Sequence, residues 1–194
     1  SCVDDVEREA SISAIEQICA RSKRFANHIL PEMQKLVHDI DTPMHSKLQL
    51  IKIFRYMYGT ASMAKKAFDT CANLIEAYPT KDIVLTVLDT VTQLALNNFI
   101  VAPQVLSLLF ALLERDVRKA VKVQCLHDII RLSKKLSDPV TITYPVRVIC
   151  AMLVETPFES MKLLLLKLLK TLSYSPVMVR QWFSTCPDLI KVCE

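Results

Sequence analysis

The residues that could do chemistry in this chain are four histidines (His28, His38, His45 and His127) and seven cysteines, at positions 2, 19, 71, 125, 150, 186 and 193. Hydrolysis or group transfer would need an imidazole beside a nucleophile or a bound metal. The spacing supplies neither. No histidine has a partner at H-x-x-x-H spacing, and no serine sits on a glycine-flanked elbow. Asp128 follows His127, but neighbours on a helix point about 100° apart. No two cysteines form a C-x-x-C pair, the arrangement zinc sites usually use; the shortest gap runs from Cys186 to Cys193. Cys19, Cys71, Cys125 and Cys150 fall inside apolar helical patterns, where a reduced thiol acts as a small hydrophobe. Buried reduced thiols suit an intracellular compartment. The reading is therefore no enzyme, no cofactor and no metal; only a dyad built between distant helices would escape it.

Recognition is the other chemistry on offer. The block Glu114-Arg115-Asp116-Val117-Arg118-Lys119-Ala120-Val121-Lys122 is the strongest candidate. If it is helical, Arg115, Arg118, Lys119 and Lys122 share an arc of about 100°. Four cations at a helix start oppose the macrodipole, by roughly 0.3–1 kcal/mol each when exposed. Something should compensate them. One possibility is an internal ladder, with Asp116 and acids of the adjacent repeat pairing with Arg118. Another is a docking patch for an acidic partner surface. Direct nucleic-acid binding is disfavoured, because four charges give only a shallow salt-dependent affinity. A second basic cluster, Arg21, Lys23 and Arg24, sits where a turn belongs and reads as a solvated one. Trp182 and Phe183, beside Met178, either pack in a last helix or form an edge that a further repeat would cover.

Composition narrows the fold that must position these residues. The chain has 194 residues, of which 52% are hydrophobic and 23% charged, enough to bury a core. Its net charge of +4 is too mild to mark a nucleic-acid binder. Gly59 is the only glycine. That excludes glycine-rich phosphate loops and argues against hairpin-rich sheets. The apolar runs 99–113 and 163–169 are too short or too interrupted to span a bilayer. The chain lacks an initiator Met and its first residues already read as helix, so a fragment of a longer protein is expected.

Helix-sized stretches recur in pairs, at residues 4–39, 42–78, 80–114, 116–155 and 157–193. Each pair occupies about forty residues, the period of HEAT and armadillo repeats. The expected fold is all-α: an α-solenoid of about five antiparallel helix pairs, forming a single helical-repeat segment over 1–194. In the first helix Val6, Ala10, Ser13, Ala14, Ile18 and Cys19 are expected on the inner side. Pro31 either kinks the second helix or opens its longer part. Thr42 reads as an N-cap with Pro43 as first helical residue, in a helix that ends at Gly59. Ala64, Ala67, Phe68, Cys71, Leu74, Ile75 and Tyr78 make the cleanest apolar stripe. Ile83 to Ala95 suits a helix packed on two sides. The fourth pair opens at Asp116 and turns near Pro139 and Thr143-Tyr144-Pro145. Thr156-Pro157-Phe158-Glu159 reads as a capping box, with a partner helix opening near Ser175-Pro176. The joints DTPMHSKL (41–48) and ETPFESMKL (155–163) look alike, through shared capping chemistry or repeat ancestry.

The ordered segments resemble the N-terminal region of the Integrator complex subunit 7 family. They are VEREASISAIEQICARSKRFA (6–26), TPMHSKLQLIKIFRYM (42–57), AYPTKDIVLTVLDTVTQLAL (77–96), RDVRKAVK (115–122), LHDIIRLSKK and TPFESMKLLLLKLLKTLS (156–173). Val117 stands where the family pattern has proline, and Pro31 and Pro145 fall in stretches the family forms as regular helix. These departures mark a divergent homologue. The resemblance implies a non-catalytic scaffold in the nucleus whose partners are other Integrator subunits, with RNA polymerase II and a protein phosphatase 2A module reached indirectly. It implies a role in 3′-end processing of small nuclear RNA and in transcription attenuation. Residues alone leave a rival open: another HEAT-type adaptor, such as a transport receptor or vesicle-coat subunit.

Overall fold

A computed structural model describes residues 2–136, 146–174 and 179–180. Among the described residues the chain is all-α and has no strand. The helices are α1 (Cys2–Arg21), α2 (Lys23–His38), α3 (Met44–Ile53), α4 (Ala61–Ala77), α5 (Lys81–Asn97), α6 (Ala102–Arg115), α7 (Lys119–Lys135), α8 (Val146–Glu155) and α9 (Glu159–Ser173). Short 3₁₀ turns follow α3, at Phe54–Tyr56, and precede α6, at Phe99–Val101. A boundary between Val105 and Leu106 divides the chain into two compact units.

In the first unit the helices stack as HEAT-like pairs. α1 packs on α2 and α4 on α5, each joined by a short link. Along the chain α1 meets α3 and α3 meets α5, while α2 meets α4. That is the two-layer packing of an α-solenoid, each pair covering the apolar face its neighbour cannot bury alone. The polar ties keep the same step. Gln34 Nε2 donates to Thr70 Oγ1 at 2.7 Å, 36 positions on. Asn98 Nδ2 donates to the Tyr58 carbonyl at 3.3 Å, 40 positions back. Glu9 meets His45 at 3.3 Å, and Arg55 meets Asp89 at 3.6 Å. Lys47 is buried, with its ammonium over the Tyr78 ring and donating to Tyr78 Oη at 2.8 Å.

The stripe on α4 is buried as read, apart from half-buried Tyr78. α5 buries Ile83, Val84, Val87, Leu88, Val91, Leu94 and Ala95 and is a helix throughout. Each buried valine, leucine or isoleucine among them contributes roughly 1.5–3 kcal/mol. The basic turn is also where expected: Ser22 alone links α1 to α2, its hydroxyl accepting from the Phe25 N–H at 3.2 Å. Arg21, Lys23 and Arg24 are exposed around it.

Several local expectations are corrected. On α1 the buried residues are Ile12 and Cys19, while Val6 is 63% and Ile18 44% exposed. Ala10, Ser13 and Ala14 are exposed too; small side chains bury too little surface to orient the helix against Ile12 and Cys19. Of the two readings of Pro31, opening the longer part of the helix is set aside: it lies inside α2, which opens at Lys23. Pro43, not Thr42, is the N-cap of α3, its carbonyl accepting from the Lys47 N–H at 2.9 Å. α3 ends at Ile53, tightening into the 3₁₀ turn before Gly59. Gly59 has no positive φ; its role is close approach, because an added Cβ would lie 3.1 Å from Met63 Cε and 3.3 Å from Lys23 Cβ.

The expected turn near Pro139 and Pro145, the helix opening at Ser175-Pro176, and Met178, Trp182, Phe183, Cys186 and Cys193 lie outside the described residues.

Candidate protein-docking site

In the second unit α7 packs on α9, and α8 packs on α9. A cleft of about 260 Å³ opens among the start of α7, the end of α8 and the start of α9. Val117, Lys119, Lys122, Met152, Glu155, Thr156, Pro157, Phe158 and Met161 line it. The basic block and the Thr-Pro joint, about one repeat apart in sequence, thus face each other.

The basic block is not one helix. The Asp116 N–H completes α6 by donating to the Leu112 carbonyl at 2.9 Å. Asp116 Oδ1 then accepts from the Arg118 N–H at 2.8 Å, and this side-chain turn diverts the chain before α7. α7 therefore starts at Lys119, and the expected common arc of four cations does not form. Arg115 ends α6, exposed, with its Nε donating to the Ala111 carbonyl at 3.3 Å. Arg118 turns back to Asp116, its Nε donating to Oδ1 at 2.9 Å, with Nη2 on Oδ2. That hydrogen bond, with the Arg118 and Lys122 charges, holds the Asp116 carboxyl below the usual carboxylate range and raises Arg118. Among the described residues Lys119 and Lys122 are the two cations at the cleft. Lys119 Nζ stands 4.1 Å from the centroid of the Phe158 ring, a cation–π contact that the sequence pattern did not disclose.

The floor and far wall are apolar. Met161 is buried, Met152 half-buried, and Phe158 43% exposed; Val117 is 93% exposed at the rim. The expected capping box is absent. Phe158 is the N-cap of α9 and has no side-chain cap bond. Thr156 Oγ1 instead accepts from the Phe158 N–H at 3.4 Å and faces Met161 Sδ at 3.8 Å. Glu159 pairs outward with Lys162 at 3.3 Å. The two similar joints thus differ by one residue in where their helices begin.

Residues suited to catalysis are dispersed. His127 is exposed, whereas Asp128, about a quarter-turn round α7, is fully buried, accepting from Gln124 Nε2 at 2.8 Å and Arg131 Nη1 at 2.9 Å. Cys19, Cys71 and Cys125 are buried and free; Cys150 is half-buried, against expectation, because α8 is only partly covered. Burial, helped by Glu16, pushes the Cys19 thiol up to about 11. Burial raises Cys71, and burial with the charges of Asp128 and Asp116 raises Cys125 to about 12. These three thiols stay protonated at neutral pH and are poor nucleophiles. Among the described residues no three His, Cys, Asp or Glu side chains are grouped to hold a metal, and no helix is long and apolar enough to cross a membrane.

Stacked helix pairs and an open, mixed apolar–basic cleft define an α-helical-repeat protein. Comparison with known proteins gives its lineage. The chain belongs to the family described as Integrator complex subunit 7, N-terminal, whose model matches residues 1–194. It is similar to Integrator complex subunit 7 of Danio rerio, at 34% identity over 181 residues, covering 93% of this chain and 19% of that protein. The Gallus gallus protein of the same name is 34% identical over 202 residues, covering 98% of this chain and 21% of the relative. The Homo sapiens protein is 33% identical over 202 residues, with the same coverage of 98% and 21%. The chain thus spans about a fifth of the length of these relatives.

Proposed function

We propose that this chain is a single helical-repeat segment of a non-catalytic scaffold subunit of the Integrator complex. It presents helix faces to other large helical subunits in the nucleus. Through those contacts it supports 3′-end processing of small nuclear RNA and transcription attenuation, reaching RNA polymerase II and the protein phosphatase 2A module indirectly. The observation that carries this reading is the family match over residues 1–194 on a chain whose first unit stacks helices as repeats. Repeats of this kind bury their core one pair against the next and leave extended faces for partners. The basic block belongs to the same reading in a narrower form: of Arg115, Arg118, Lys119 and Lys122, the docking patch is Lys119 and Lys122, which face the cleft, while Arg118 is held by Asp116.

The test is affinity purification of the full-length protein from nuclear extract, with partners identified by mass spectrometry. Integrator subunits and the polymerase are the expected recovery. Recovery of transport cargo or coat proteins in their place would contradict the reading and favour a different HEAT-type adaptor.

A further inference from the structure

We propose that the cleft among α7, α8 and α9 receives a short acidic segment of a partner protein, with one apolar side chain between its carboxylates. This deepens the docking reading above and rests on it. Three features select that occupant. First, size: about 260 Å³ lies below the roughly 300–1,000 Å³ of sites that enclose a whole small molecule, and suits one side chain. Second, the apolar wall is built of Met152, Pro157, Phe158 and Met161, and methionine adapts to varied apolar shapes. Third, charge: neither Lys119 nor Lys122 has a carboxylate within ion-pair distance among the described residues. They lie three apart on one helix face, so they address neighbouring carboxylates together.

The same surface sets the polarity of the guest. Glu155 faces the cleft from the end of α8 and repels an acid placed there. The carboxylates must lie on the α7 side, with the apolar side chain over Met152 and Met161. A nucleic-acid strand fits less well. Two lysines neutralise too few phosphates, and one face of the Phe158 ring, which a base would stack on, is taken by Lys119.

The experiment uses the chain with ¹³C-methyl methionines and four synthetic probes. These are an Asp/Glu peptide around a single leucine, its Asn/Gln counterpart, its serine-for-leucine counterpart, and a short oligouridylate. The acidic leucine peptide is expected to move the Met152 and Met161 methyl signals and leave those of Met33 and Met57 in place. Lys119→Gln with Lys122→Gln should weaken it at least about tenfold, and added salt should weaken it too. Unmoved cleft methyls would overturn the proposal. So would equal binding of the amide peptide, or of the serine peptide, or of oligouridylate. Co-purification of the full-length protein answers separately: subunits recovered without peptide binding would remove the cleft and keep the scaffold, and the reverse would do the opposite.

Discussion

Three threonines in the first unit give opposed expectations from the same substitution. Thr90 and Thr92, both fully buried on α5, have hydroxyls with no hydrogen-bond partner among the described residues. Two positions apart on a helix they lie on opposite sides, so both sides of α5 must be sealed for both to be dry. Thr70 on α4 is 5% exposed, but its hydroxyl donates to the Lys66 carbonyl at 2.8 Å and accepts from Gln34 at 2.7 Å. A buried hydroxyl without a partner costs about 1–3 kcal/mol, and valine keeps the shape of threonine without it. Thr90→Val and Thr92→Val should each stabilise the chain by about 1 kcal/mol. Thr70→Val should destabilise it by about 1–1.5 kcal/mol, because it strands the Gln34 amide. Urea unfolding followed by circular dichroism reads all three, with unchanged m-values as the check on two-state behaviour. If Thr90→Val and Thr92→Val destabilise as much as Thr70→Val, α5 is not the doubly covered helix described here.

Asp116→Asn should lower stability at neutral pH by about 1 kcal/mol, through the weakened Arg118 pairing. Because the native carboxyl is depressed, its contribution is present above the unfolded carboxylate range near about 4 and lost as pH falls through the lower native value. The gap between wild type and Asp116→Asn should therefore close in acid; a gap that widens there would refute the assignment. Under native conditions at pH 8, Cys71 and Cys125 should resist alkylation while half-buried Cys150 reacts first of the three, as peptide mapping would show.

The succession of helices was legible because proline and threonine punctuate the joints and the apolar spacing on α4 and α5 is regular; which helices pack was less so, since α4 packs on α5 across the expected division between 42–78 and 80–114. The inner side of α1 was misread because alanine and serine were counted as apolar alongside Val6 and Ile18, against a sparser stripe of Ile12 and Cys19. The Asp116 turn has a local signal, an aspartate two residues before the N–H it accepts, but the charge pattern of Arg115 to Lys122 masked it. The capping box at Thr156 failed because the helix begins at Glu159, one residue later than at the Thr42-Pro43 joint. The cleft itself had no sequence signature. It depends on how α7, α8 and α9 pack, which brings Lys119 onto the Phe158 ring from about one repeat away.

The most direct test of the docking account is purification of full-length protein carrying Lys119→Glu and Lys122→Glu beside the wild type, with melting of both chains in parallel. The account predicts a several-fold loss of at least one Integrator subunit and an unchanged melting curve. Undiminished recovery of every subunit, or melting as early as a core variant such as Leu94→Ala, would contradict it.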